Sequence, residues 1–222
     1  MAYRGYQSGI PAAWSGEPLG VTCPTVNLAI KDVAGTASGK YDAELAAYFR
    51  QVPNGALVTI DGEYEAQRYP YTPVQVISAI HNARAIFKAN APAGAKFGQN
   101  VGSYTANPKS KHYPLSQWIV SGLDFYALDG YQDNQATTPA GVFGPDVEQV
   151  RSVEPNAVFA IFETNSAFPG QVRADWFKAA YAWAKETNCL TFISFWNAQY
   201  AWDSQDTATI NSLSVINSDS QS

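Results

Sequence analysis

Two glutamates close apolar runs that lie far apart in the chain. Glu63 ends the stretch Ala56-Leu57-Val58-Thr59-Ile60-Asp61-Gly62, and Glu163 ends Ala157-Val158-Phe159-Ala160-Ile161-Phe162. A carboxylate at the lip of a buried strand costs desolvation, and it is more easily explained where a site uses the charge. The ordinary alternative is a helix cap at a solvated turn. Two carboxyl groups converging on one pocket suit acetal cleavage. One, protonated, donates to the leaving oxygen, and the other, ionised, stabilises or attacks the anomeric carbon. A retaining reaction needs the pair roughly 5–5.5 Å apart. The acid needs its pKa raised toward neutrality, which partial burial and a like charge supply.

Other polar residues gather at comparable positions. Glu65 follows Glu63 by two. Gln99 and Asn100 lie within Lys96–Val101, Asp129-Gly130-Tyr131 closes Leu123–Asp129, and Trp196-Asn197 closes Leu190–Trp196. These form the expected substrate-binding set around Glu63 and Glu163. His81 reads as a mid-helix packing or surface residue and His112 as a loop residue. Tyr104 and Trp202 read equally as outer-site rings or core.

The elements that must position these residues repeat. Short, nearly continuous apolar runs at Thr25–Ile30, Ala56–Asp61, Lys96–Val101, Leu123–Asp129, Ala157–Glu163 and Leu190–Trp196 have the character of parallel strands covered on both faces. A weaker run lies at Tyr3–Ser8. Between them, Val76, Ile80, Ala83 and Phe87 share one helical face, as do Trp176, Ala180 and Trp183. Asp42–Gln51, Leu115–Ser121, Pro145–Val153 and Thr207–Ile216 read as further helices, with Pro73 and Pro145 at helix starts. Strand and helix alternate with a period of roughly 30 residues, which predicts βαβ units. The expected fold is a single α/β domain over residues 1–222, a (β/α)8 barrel with an incomplete or atypical first strand. An open doubly wound sheet is the alternative, weakened by the lack of a Gly-rich phosphate turn.

Composition bounds the partners. The chain has 222 residues, 46% hydrophobic and 14% aromatic, enough for one sizeable core. The formal net charge of −5 and the absence of a basic run argue against nucleic acid and anionic membranes. No stretch approaches the roughly 20 apolar residues of a membrane span. Cys23 and Cys189 read as buried thiols, though a disulfide stays open, and with His81 and His112 they make no convincing zinc set. No metal or cofactor is expected. The first residues lack the apolar core of a signal peptide.

The ordered motifs resemble family 26 glycoside hydrolases, retaining enzymes on a (β/α)8 barrel. That family's acid/base glutamate has a proline and an aromatic residue seven and eight positions later, as Glu63 has Pro70 and Tyr71. Gly39-Lys40-Tyr41-Asp42-Ala43 is similar to its Gly-x-Tyr-Asp-Ala run. Leu128-Asp129-Gly130-Tyr131, Ile161-Phe162-Glu163-Thr164 and Phe195-Trp196 resemble its sixth, seventh and eighth strand ends. The likeness spans about residues 25–203. It implies Glu63 as acid/base, Glu163 as nucleophile, Tyr131 as hydrogen-bond partner of the nucleophile, and Trp196 as a sugar platform, and it adds Tyr71 to the substrate-binding set. Gly62 replaces the family's histidine. The function expected is hydrolysis of a β-linked polysaccharide or cell-envelope glycan by a secreted monomer. Two rivals stand beside it: a non-catalytic, sugar-binding or virion-associated barrel, and a muramidase-like enzyme using Asp61 and Glu63.

Overall fold

The computed structural model describes residues 4–14, 24–60, 70–190 and 206–219, with the strand at 4–8 given by its backbone pairing. Six strands form one parallel sheet in sequence order: β1 (Arg4–Ser8), β2 (Thr25–Ala29), β3 (Leu57–Ile60), β4 (Lys96–Gly102), β5 (Phe125–Gln132) and β6 (Phe159–Ser166). Among the described residues no pairing joins β6 back to β1, so the sheet is a half-barrel. The weak run at Tyr3–Ser8 is therefore a strand, while most of Leu190–Trp196 lies outside the described residues. Leu190 itself donates its amide to the Phe159 carbonyl at 2.7 Å.

Helices cover the outer face: α1 (Val33–Ala37), α2 (Asp42–Phe49), α3 (Pro73–Asn90), α4 (Pro139–Val153), α5 (Gln171–Glu186) and α6 (Thr207–Asp219). Helix α3 starts as its sequence dictates. Pro73 sits in the first turn, and Thr72 and Gln75 cap each other's backbone amides. Two expectations need correction. Pro145 lies inside α4, because Thr138 caps Gly141 and Pro139 takes the first-turn position six residues earlier. Leu115–Ser121 is only a 3-10 turn, Leu115–Trp118, since Ile119 turns extended.

The strands alternate between two apolar layers. Val26, Leu28, Val58, Ile60 and Phe97 pack outward with α2 and α3, and Tyr126, Leu128, Phe159 and Ile161 pack outward with α4 and α5. The inward residues Leu57, Phe125, Ala127, Ala160 and Phe162 form a separate plug inside the curved sheet. Gly98 lies against that plug. A Cβ there would meet the Phe125 ring and its carbonyl oxygen at 2.6 Å.

Past the end of β6 a buried polar clamp fixes α5 and α6. Arg173 Nε donates to the Ser166 carbonyl, and its guanidinium pairs with Asp206 at 3.7 Å, the two side chains being 3% and 5% exposed. Asp206 also accepts from Gly170 N, Thr209 N and the Thr209 hydroxyl. Burial pushes the Asp206 carboxyl up, but the Thr209 and Gly170 hydrogen bonds and the Arg173 charge outweigh it and hold the group below its ordinary value.

Two outcomes follow from this packing. Gly98→Ala should cost about 1–3 kcal/mol, because the contact atoms include backbone that cannot rotate away; a urea midpoint unchanged from wild type would contradict it. Asp206 has a lowered folded pKa, so its contribution is present above the unfolded carboxylate value of about 3.9 and is lost as pH falls through the folded value. Asp206→Asn should therefore be less stable than wild type by about 1–3 kcal/mol at pH 7. The gap should narrow in acid, as read by denaturant titrations at pH 7 and pH 2.

Candidate functional site

The polar layer sits directly above the inner plug, at the C-terminal ends of the strands. In register, Leu128 faces Ile161, but Asp129 faces Glu163, so β6 carries one extra residue at Phe162. Strict alternation would send Glu163 outward beside Ile161. The bulge instead puts two successive side chains, Phe162 and Glu163, on the inner face. Phe162 packs on Phe125 with ring centroids 5.6 Å apart. Re-aiming a side chain in this way is a known use of bulges beside active sites.

Alternation resumes above the bulge. Gly130 and Thr164 face outward: a Cβ on Gly130 would strike Val142 and Phe143 of α4, and the Trp176 indole donates to the Thr164 hydroxyl at 2.9 Å. Asp129, Tyr131, Glu163 and Asn165 therefore share the inner face, Tyr131 standing opposite Asn165. The Tyr131 hydroxyl donates a short hydrogen bond to Glu163 Oε2. That bond fixes the rotamer of the carboxylate. Glu163 is half-buried, so it can reach a ligand.

Asn100, on the inner face of β4, donates from Nδ2 to Asp129 Oδ2 at 2.7 Å, and both are 2% exposed. This pair forms a buried shelf beside Glu163. Gln99, one residue earlier, points the other way. It clamps the 3-10 turn by donating to the Trp118 carbonyl and accepting from Val120 N, which makes it a packing residue on the helix-covered side. The Tyr71 hydroxyl donates a short bond to the Lys31 carbonyl just past β2, on the same rim as the polar layer. Asp61, Glu63, Glu65, Trp196, Asn197 and Trp202 lie outside the described residues, as does Cys23. Asn165 was absent from the sequence-based set; its neighbour Ser166 is bonded to Gln132, and only the register reveals its shared face with Glu163.

Remaining expectations fall elsewhere. His81 is exposed on α3, and the His112 ring packs edge-on against Trp118 at 5.0 Å. Cys189 is a free thiol that burial pushes up to about 12, so it is a poor nucleophile. Among the described residues there is no cluster of three or more His, Cys, Asp or Glu able to hold a metal ion, and no helix is long and apolar enough to cross a membrane.

The shelf makes a prediction. Asn100→Asp would set a second carboxylate against buried Asp129, and the like charge raises the folded pKa of the pair above the unfolded value. The variant should lose about 2–4 kcal/mol at pH 7 and recover as pH falls through the raised value. Urea midpoints that track wild type from pH 7 to pH 4 would refute the pairing.

No family model matches the sequence, and no curated protein matches it. Solved structures do match in fold. Thermotoga maritima Cel5A in complex with cellobiose is similar with a TM-score of 0.55 at 9% identity, over 86% of this chain and 72% of that one. A family 128 endo-β-1,3-glucanase of Amycolatopsis mediterranei, in complex with laminaritriose, is similar with a TM-score of 0.55 at 11% identity, over 96% and 100%. A fungal β-1,4-galactanase is similar with a TM-score of 0.60 at 10% identity, over 85% and 76%. These likenesses reach several glycosidase families and do not single out family 26. At such identities they establish one thing: the chain has the α/β fold of the barrel glycoside hydrolases over most of its length.

Proposed function

We propose that the protein is a retaining glycoside hydrolase of a β-linked polysaccharide. The observation that carries this reading is Glu163, turned inward by the β6 bulge and held by the Tyr131 hydroxyl at the C-terminal rim of a parallel sheet. Catalytic residues of parallel barrels collect at that rim. A carboxylate oriented by a phenol suits a nucleophile that attacks an anomeric carbon. The Asn100–Asp129 shelf beside it supplies polar atoms for sugar hydroxyls.

In this mechanism Glu163 displaces the leaving group and forms a glycosyl ester. Glu63, closing the run that β3 begins, protonates the departing oxygen and then deprotonates the water that hydrolyses the ester. Trp196 stacks on the ring at the cleavage site, and Asn197, Glu65 and Tyr71 complete the pocket. No cofactor or metal enters the chemistry, and the protein works outside the cell as a monomer. The likeness to enzymes crystallised with cellobiose and laminaritriose supports a β-glycan substrate.

A hydrolysis screen over β-1,3-glucan, β-1,4-glucan, mannan, xylan and peptidoglycan tests the reading. On the polymer cleaved, Glu163→Gln should lower kcat by about 10³-fold or more. Glu63→Gln should lower it by about 10²–10⁴-fold, and Tyr131→Phe by about 10²-fold. A 2-fluoro-glycoside should leave a covalent adduct on Glu163. Turnover surviving Glu163→Gln would refute the assignment. Binding without turnover on every polymer would make the protein a sugar-binding barrel.

A further inference from the structure

Tyr131 belongs to two surfaces. Its hydroxyl holds Glu163, and the residue also lines a groove of about 500 Å³ between the loop after β4 and helix α4. The groove is walled by Ser103, Asn107, Tyr113, Val142 and Glu148. Gln149 makes that wall rigid. Its amide donates to the Ala106 carbonyl at 3.0 Å, and its carbonyl accepts from Ser116 N at 3.4 Å. One side chain of α4 thus stitches both arms of the loop to the helix. The Trp118 indole adds a bond to the His112 carbonyl at 2.9 Å.

The lining residues keep unspent recognition chemistry. Tyr113 lines the groove and is 45% exposed, so its amphipathic ring is open to a ligand. Glu148 is exposed and has no hydrogen-bond partner among the described residues. Asn107 spends only its carbonyl oxygen, on Lys109 N at 3.0 Å, leaving its two amide donors. The volume lies within the roughly 300–1,000 Å³ of small-molecule sites. An open groove with one flat ring, a carboxylate acceptor and an amide donor fits a sugar, whose C–H face packs on the ring while vicinal hydroxyls bond the polar atoms. A free carboxylate in the lining disfavours phosphates and acidic sugars; Lys109 and Lys111 stand on the same loop but outside the lining.

We propose that this groove is an extended subsite, binding one or two neutral sugar rings of the glycan beyond the ring at Glu163. The proposal rests on reading Glu163 as the site of cleavage, since Tyr131 is the shared wall. Tyr113 is its stacking platform and Glu148 its hydroxyl acceptor.

Calorimetry with tri- and hexasaccharides of the laminari-, cello- and manno- series tests it, in the Glu163→Gln background so that no probe is consumed. At least one hexasaccharide should bind about tenfold or more tightly than its own trisaccharide. Tyr113→Ala and Glu148→Ala should each erase most of that difference and leave the trisaccharide Kd unchanged. Both residues are exposed, so folding should survive, and circular dichroism checks it. Hexasaccharide affinity untouched by both variants, or no binding of any probe, would overturn the subsite. The outcome is separable from the catalytic reading. Length-dependent binding that needs Tyr113, in a protein whose turnover ignores Glu163, would keep the subsite and discard the nucleophile.

Discussion

The candidate site depends on one extra residue in one strand. Without the bulge at Phe162, Glu163 would face outward with Ile161, into a layer packed by Trp176 and Phe177 of α5. An ionised carboxylate there would cost several kcal/mol even after relaxation. A bulge forfeits about one ladder hydrogen bond, roughly 0.5–1.5 kcal/mol net. The bulge is thus the cheaper arrangement, and it keeps Phe162 in the inner plug. The same irregularity completes the hydrophobic floor and raises the carboxylate above it.

Everything nearby then serves to hold that geometry. The plug of Leu57, Phe125, Ala127, Ala160 and Phe162 closes the interior below Glu163. Gly98 lets the Phe125 ring approach β4 closely. Above, Tyr131 and the Asn100–Asp129 pair define the polar layer. Beyond the strand, Arg173 and Asp206 tie the Ser166 carbonyl to α6, so the segment carrying Glu163 is anchored on both sides.

Much of this was legible in the sequence and some was not. The apolar runs located β2 through β6 to within a few residues, because strands buried on both faces leave continuous hydrophobic stretches. Polar residues at the run ends located Asp129, Tyr131 and Glu163. Which face each residue takes was hidden. Adjacent Gln99 and Asn100 looked equivalent, yet a two-residue period sends them to opposite sides. The bulge was invisible too, since Ile161-Phe162-Glu163 carries no glycine or proline to announce it. The start of α4 was misplaced because both Pro139 and Pro145 suit a first turn, and only the Thr138 cap decides between them.

The outer face of β5 also bears on Tyr131, whose hydroxyl holds Glu163. Tyr131 follows Gly130, whose missing side chain lets Val142 and Phe143 close on β5. That close approach brings α4, with Gln149 and Glu148, near the rim and forms one wall of the groove. A larger residue at position 130 would push α4 outward, widening the groove and moving Tyr131 from Glu163 together. The packing of one helix against one strand therefore couples the carboxylate's orientation to the width of the neighbouring groove. On the proposed sugar-binding reading, changes that tune the length or kind of sugar bound would be constrained to leave Gly130 alone. They would fall instead on exposed positions such as Tyr113 and Glu148, which touch the groove without touching the strand.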